Sequence, residues 1–552
     1  MIEIKDKKDC CGCNACGDIC HVQAISFQED QEGFWYPVID KEKCDNCRLC
    51  EKICPIINIE KLKKNDFQKP IVYGGYSKDI VIRFDSTSGG IFSILAQSIY
   101  KQKGYVGGAI YTEDFKVVNF ISNNKKDLHR LRSSKYAESY AVGLYVRIKE
   151  LLISGEKVLV CGSPCQMAAL RSYLRRDYDN LIIVDFLCRA TNSPKVFKKY
   201  RESLERKYGS KIIAIKDKNK EHGWHSLARK ITFENGDVYY GEGHEDDYRR
   251  GYHMKVFERP ACYECKFKGF PRISDITLGD FWGIDKVDAT LEQNLGTSLI
   301  MINSRKGERF FEGIKDKLIV KQFRLEDIIP GNKTAILGGK LPYPVHINRK
   351  DFFDDLEKIP FDECAHKYFP YKQENTLSTK AKLKNIFRII YQNKTNLMQL
   401  IRILYWNYCR RNIHSKLQEG RILNVLSHCA IDIDKSANVE IGGNVIFNIK
   451  RTKGSKGEFR LLVEKGATLS FGKGRSFFKY DSDIQVFKGA KLIIGNCATN
   501  IGLKIVCSEL IQIGNGVHIG RDVWIRDNNG GHHVIVKGYK DKAPVIINDN
   551  VW

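Results

Sequence analysis

Eight cysteines near the start of the chain carry the densest chemical signal. Cys10, Cys13, Cys16 and Cys20 follow C-x2-C-x2-C-x3-C; Cys44, Cys47, Cys50 and Cys54 repeat it, and Pro55 follows. Three thiolates at this spacing wrap three irons of one cubane, while the fourth reaches round to a second cluster. Zinc sites usually pair two C-x2-4-C units instead, and a disulfide knot suits an oxidising compartment. The spacing therefore predicts two 4Fe-4S clusters. Cys11 falls outside the frame and reads as a free, removable thiol.

Five further cysteines, at 161, 165, 188, 262 and 265, are dispersed, yet each abuts an expected strand end or turn. In "CGSPCQMAALR" a strand hands over to a helix, and a helix N-terminus at Cys165 favours a thiolate. Four thiolates from separate loops would hold a third cluster or a structural zinc. The other cysteines, Cys364, Cys409, Cys429, Cys497 and Cys507, read as small core hydrophobes.

The elements that must position these groups follow from hydrophobic period. Between the two ferredoxin-spaced runs, "EGFWYPVID" alternates as in a hairpin. "GYVGGAIY", "EKVLVCGSP" and "NLIIVDFLC" read as buried strands, and "GGIFSILAQSIYKQ" and "AVGLYVRIKELLISG" as helices. "DSTSGGIF" places small residues at a helix start, which suits a phosphate and equally an ordinary glycine-containing cap. From "AIDIDKSANVEIGGNVIF" onward aliphatics recur about every six residues, the pattern of a left-handed parallel β-helix. The expected fold class is multidomain α+β. Its parts are a ferredoxin-type module (1–60), an α/β body (70–345), a basic helical connector (346–425) and a β-helix (426–552).

The 552 residues exceed a single core. Lys plus Arg is 90 against 66 for Asp plus Glu, a net charge of +24. The basic residues are spread along the chain and no nucleic-acid motif accompanies them, so nucleic acid is not an expected partner. No apolar run reaches a membrane span and no secretory leader is visible, so the expected address is cytoplasmic. The connector segment "KAKLKNIFRIIYQNKTNLMQLIRILYWNYCRRNIHSKLQ" contains no acid. It reads as a linker helix pair or as an amphipathic segment in peripheral membrane contact.

The double cysteine run resembles bacterial two-cluster ferredoxins. That resemblance assigns Cys10, Cys13, Cys16 and Cys54 to one cluster, and Cys44, Cys47, Cys50 and Cys20 to the other. His21 stands where a proline usually follows the fourth cysteine. The ordered pieces "STSGG", "SKYAES", "CGSPCQ", "DFLC", "RPACYECKF", "SDITLGDFWG" and "GTSLIMIN" resemble the beta subunits of coenzyme F420 hydrogenase and dehydrogenase, over roughly residues 1–340. The resemblance implies a redox enzyme that binds FAD and exchanges electrons with a protein such as ferredoxin and with an organic small molecule, coenzyme F420 included. It implies Cys165, Cys188, Cys262 and Cys265 as ligands of a third 4Fe-4S cluster. It places Ser88, Gly89, Gly90 and Lys135 along the flavin and substrate pocket, with Lys135 as the catalytic candidate, and Asp275, Gly279 and Asp280 in the turn that closes it. "CRATNSP" departs from the family's Cys-His-Gly after Cys188.

Residues 431–552 resemble hexapeptide O-acetyltransferases of polysaccharide biosynthesis. The resemblance implies acetyl-CoA as donor, a glycan acceptor, a homotrimer, and His532 in "GGHH" as general base, with His533 second. Members of that family continue with further coils beyond the point matching Trp552, so the β-helix reads as truncated. The alternatives are a β-helix that only binds or oligomerises, and a chain that only carries electrons.

Overall fold

The computed structural model describes residues 2–551 apart from 63, 222, 339–346, 372–396, 416–419, 450–456 and 531–540. The chain divides into two compact units, Met1–Tyr371 and Lys372–Trp552.

In the first unit, each four-cysteine run ends in a short helix, Ala15–Asp18 or Leu49–Lys52. Strands β1 (Ile25–Glu29) and β2 (Trp35–Ile39) join the runs as the expected antiparallel hairpin, with Ile25 opposite Ile39. The body is one eight-stranded mixed sheet. Its strands are β3 (Ile71–Ser77), β4 (Tyr105–Tyr111), β5 (Val117–Ser122), β6 (Val158–Gly162), β7 (Leu181–Phe186), β11 (Ile276–Asp280), β12 (Ser298–Ile302) and β13 (Leu318–Phe323), in the order β13-β3-β12-β11-β7-β6-β4-β5. The central strands β4, β6, β7 and β11 run parallel. They read as continuous apolar runs because both faces are covered. The helix Ile91–Lys101 packs Ile91, Ile94, Leu95 and Ile99 on one face, and Leu144–Ile153 packs Ile148, Leu151 and Leu152 on the other.

A second sheet of three antiparallel strands, β8 (Ile212–Asn219), β9 (Ala228–Phe233) and β10 (Val238–Gly241), is inserted between β7 and β11. The unit runs past the boundary at 345 expected from sequence. Helices Arg349–Leu356 and Phe361–Tyr368 bury Phe352, Phe353, Leu356 and Phe361 among Phe197, Tyr200, Tyr248 and Phe257, so removing them would expose much of an aromatic core.

The second unit stacks three parallel sheets, each strand pairing with the third strand along the chain. Val439, Leu469, Leu492 and Ile511 stack in one sheet, and Leu461, Ile484, Ile505 and Ile525 in another. Nearly all of these are fully buried in one core. This is a β-helix built of the repeats seen in the sequence. Cys364, Cys497 and Cys507 are buried and Cys429 half-buried, as expected of small hydrophobes, but Cys409 is exposed. It ends an irregular turn, Tyr405–Cys409, in which Asn407 takes the inward position. Among the described residues no helix is long and apolar enough to cross a membrane.

Candidate electron-transfer centre

The parallel strands fix the site by their direction. Ligands in open α/β sheets gather beyond the carboxyl ends of the strands. Cys165 follows the end of β6 by three residues, and Cys188 follows β7 by two. Cys262 and Cys265 arrive on the loop before β11. Cys188 and Cys262 are pushed up first by burial, then by their neighbours among these four sulfurs. The same holds for Cys265, raised first by burial and then by Cys165. The four residues from separate loops therefore face one another.

Cys10, Cys13, Cys16 and Cys54 line one cavity with Gly12, Phe27, Ile53 and Ile56. The apolar wall suits a cubane. Cys16, Cys50 and Cys54 belong to one hydrophobic cluster with Ala168, Phe267 and Ile273, and Cys11, Cys165 and Cys265 pack against it. A four-thiolate zinc, with Zn–S of about 2.3 Å, would draw sulfurs to about 3.8 Å of one another. Among the described residues no three cysteine sulfurs lie within 4.8 Å of each other. His21 ties the two runs together: its Nε2 sits 3.0 Å from Asp45 Oδ2, and Asp45 Oδ1 accepts from the Cys47 N–H at 3.2 Å.

Two groups that sequence reasoning missed stand between these sites. Cys11 is not peripheral. It packs against the same apolar cluster as Cys165 and Cys265, and its thiol is held well up by Cys13 and Cys165 beside it and by burial. Cys11, with the Ser163 hydroxyl at 3.2 Å, brings Cys165 down to about 7. Arg259 is fully buried and pairs with Glu138 at 2.5 Å. It also donates to Cys10 O at 2.8 Å, Trp35 O at 3.1 Å and Cys10 Sγ at 3.4 Å, and lies 4.3 Å over the Tyr36 ring. Burial pushes the Glu138 carboxyl up to about 7 in spite of Arg259. Neither residue carries a local sequence signal, because each acts across more than a hundred residues of chain.

The residues expected to line a flavin pocket separate into two groups. Ser88, Gly89 and Gly90 precede the helix Ile91–Lys101, whose N-terminus has no side-chain cap. Gly89 N–H donates to Ser298 Oγ at 2.8 Å, and a Cβ there would run into the Gly75 carbonyl. Ser88 Oγ is buried without a partner, as is Arg83 Nη2. An uncapped helix start beside orphaned donors fits a phosphate-bearing cofactor. The loop of Lys135 reaches the same place: Ser134 N–H donates to Thr87 Oγ1 at 3.1 Å. Lys135 itself donates to three carbonyls, of Arg130 (2.6 Å), Arg132 (3.0 Å) and Ser133 (3.1 Å). It is half-buried, and burial draws it down to about 7 while the carbonyls favour the ammonium.

Asp280 and Gly279 end β11 at this edge, and Gly279 packs tightly on Leu187. Asp275 lies at the opposite end of the strand. There it accepts from Ile183 N at 2.9 Å and Ser304 Oγ at 2.7 Å, which pins β11 to its neighbours. Alternate residues of β8 and the residue just after it, missed from sequence, supply lysines to the carboxyl edge. Lys216 binds Asp85 at 2.6 Å, Lys218 binds Asp280, and Lys220 donates to the carbonyls of Arg83 and Leu295 at 2.7 Å and of Ser88. Against burial, Asp280 holds Lys218 above its ordinary range; burial draws Lys220 down to about 6. The alternation in "IKDKNK" is the signal that could have found them. Arg189, in the departing segment after Cys188, contacts His253 Nδ1 at 3.1 Å and lies over the Tyr252 ring. His532 and His533 lie outside the described residues, as does most of the acid-free connector.

Comparison with known proteins adds three findings. Residues 155–327 match the family described as the C terminus of the coenzyme F420 hydrogenase/dehydrogenase beta subunit, and residues 9–57 match the family "4Fe-4S dicluster domain". No curated protein matches the chain. Among solved structures, a chain of the xenon-derivatised F420-reducing nickel–iron hydrogenase complex from Methanosarcina barkeri is 18% identical, with a TM-score of 0.34, covering 50% of this chain and 90% of that one.

Proposed function

We propose that the first unit is an iron–sulfur flavoprotein oxidoreductase holding three 4Fe-4S clusters and FAD, and exchanging electrons between a partner protein and an organic acceptor. One observation carries this reading: cysteines of both ferredoxin-type sets and of the third set meet in a single buried apolar cluster, with Cys11 packed against it. Electron transfer needs short paths through packed protein, and the folding together of 1–60 and the body provides one. Cys10, Cys13, Cys16 and Cys54 hold the first cluster, Cys44, Cys47, Cys50 and Cys20 the second, and Cys165, Cys188, Cys262 and Cys265 the third. Bound flavin would supply the exchange between one-electron and two-electron chemistry. The chain's own residues do the rest. The start of the helix at Ile91 and Ser88 Oγ bind phosphate. Lys216, Lys218 and Lys220, the first two already paired with Asp85 and Asp280, line the edge at which the organic acceptor, coenzyme F420 included, would dock.

The test is anaerobic purification with iron, sulfide and flavin analysis. The reading expects about twelve irons per chain, four for each cubane, and one flavin. About eight irons with one zinc would overturn the third cluster, and no flavin after reconstitution would overturn the oxidoreductase. For the second unit, acetyl transfer rests on His532. Acetyl-CoA turnover lost in His532→Ala supports it, and no turnover in the parent chain leaves the β-helix a scaffold.

A further inference from the structure

A second pocket lies at the other edge of the sheet. It is a cavity of about 300 Å3, lined among others by Lys52 and Lys61 from the end of the cysteine module, Arg171 in the last turn of the helix Pro164–Leu174, Arg175 and Arg176 just after it, and Lys306. Leu181 and Ile183, at the amino end of β7, form part of its floor. The cavity therefore opens on the side away from Ser88, Cys188 and Asp280.

Its charge is unbalanced. Asp177 is the one acid in the lining, and Arg171 already takes it at 3.1 Å. Arg171 is further occupied by Ile273 O and Asn65 Oδ1, both at 2.7 Å. Lys306 leans on Tyr178 O at 3.1 Å and on Asp275 at 3.7 Å. Lys52, Lys61, Arg175 and Arg176 form no ion pair among the described residues. All four are exposed and Arg176 lies 4.5 Å over the Tyr178 ring, so water screens their mutual repulsion, but together they give the cavity a surplus of positive charge that an anion would share. Arginine forks match tetrahedral and planar oxyanions in two-bond geometry, and the volume is at the small end of ligand pockets.

We propose that this cavity binds a small ligand carrying two or more adjacent phosphate groups. Adjacent phosphates bring several negative charges into a small space, which matches four cations that form no ion pair. The site is separate from the redox centre, and its two walls come from the cysteine module and the body. Bound ligand would therefore bridge them, next to the segment that carries Cys50 and Cys54.

The experiment is calorimetric titration of the full-length protein, loaded with clusters and flavin so that the phosphate site at Ser88 is filled, with inorganic pyrophosphate. Saturable binding of one pyrophosphate per chain is expected. It should weaken at least tenfold in an Arg175→Asn, Arg176→Ser variant, in which asparagine tolerates the left-handed backbone at 175 (φ 59°). Lys61→Ser, on the opposite wall, should weaken it independently. A Lys101→Ser, Lys126→Ser variant, with the same loss of charge on another surface, should bind like the parent. The proposal is overturned by no saturable binding, by more than one site per chain, by equal weakening in the control variant, or by citrate binding as tightly as pyrophosphate.

Discussion

Replacing Arg259 by methionine tests how the cysteine module is locked to the body. The guanidinium is fully buried and makes its four bonds to Glu138, Cys10 (twice) and Trp35. Methionine fills similar volume but leaves Glu138 with no counter-charge at 4% exposure, and Glu138 Oε2 already lacks a partner. Breaking one side of a buried pair costs about 3–5 kcal/mol. For a unit of this size that is about 4–6 °C in the thermal midpoint. The deficit has a pH sign. Glu138 has its carboxyl raised from the ordinary value to about 7, so its protonated form suits the fold. Its contribution is full below the unfolded value near 4.5 and fades as pH rises through 7. Without Arg259 the carboxylate is worse placed, so the loss is larger at pH 8 than at pH 5.5. The assay is thermal unfolding of anaerobically purified protein at both pH values for Arg259→Met, Glu138→Gln and the double variant. The double variant should recover much of the loss, because it leaves no buried charge. A single Arg259→Met variant as stable as the parent, or a double variant no better than it, refutes the reasoning.

Cys11→Ala should retain full iron content but lower the midpoint potentials of the first and third clusters, since a thiol beside Cys13 and Cys165 can donate to their sulfurs and such bonds raise potential; electron paramagnetic resonance during a redox titration reads this. Cys188→Ala should bring iron from about twelve to about eight per chain by chemical analysis, with the ferredoxin-type signals intact. Gly89→Ala drives a methyl into the backbone of Gly75 and to 2.9 Å from Ser298 N. It should cost about 1–3 kcal/mol and weaken flavin retention on gel filtration. Leu492→Ala, at 0% exposure in the β-helix core, should cost about 2–5 kcal/mol in the unfolding of the second unit, without changing iron content.

The sequence by itself determined the two four-cysteine runs of residues 10–54, the mixed α/β body and the β-helix. These are local properties: thiolate spacing within a turn, apolar alternation in a strand, and a six-residue repeat. It also placed Cys165 and Cys188 at strand ends, because the handover from strand to helix is visible in "CGSPCQ" and "DFLC". Only the tertiary structure decided what lies between the sites. Arg259 meets Cys10 across 249 residues, and Cys11 meets Cys165. Asp275 and Asp280, five residues apart, serve opposite edges of one sheet, because a strand carries its two ends to different places. The six cations of the second pocket come from three separate stretches of chain, none of them basic enough alone to mark a site. Charge, burial and long-range contact are properties of the folded surface, and no window of sequence holds them.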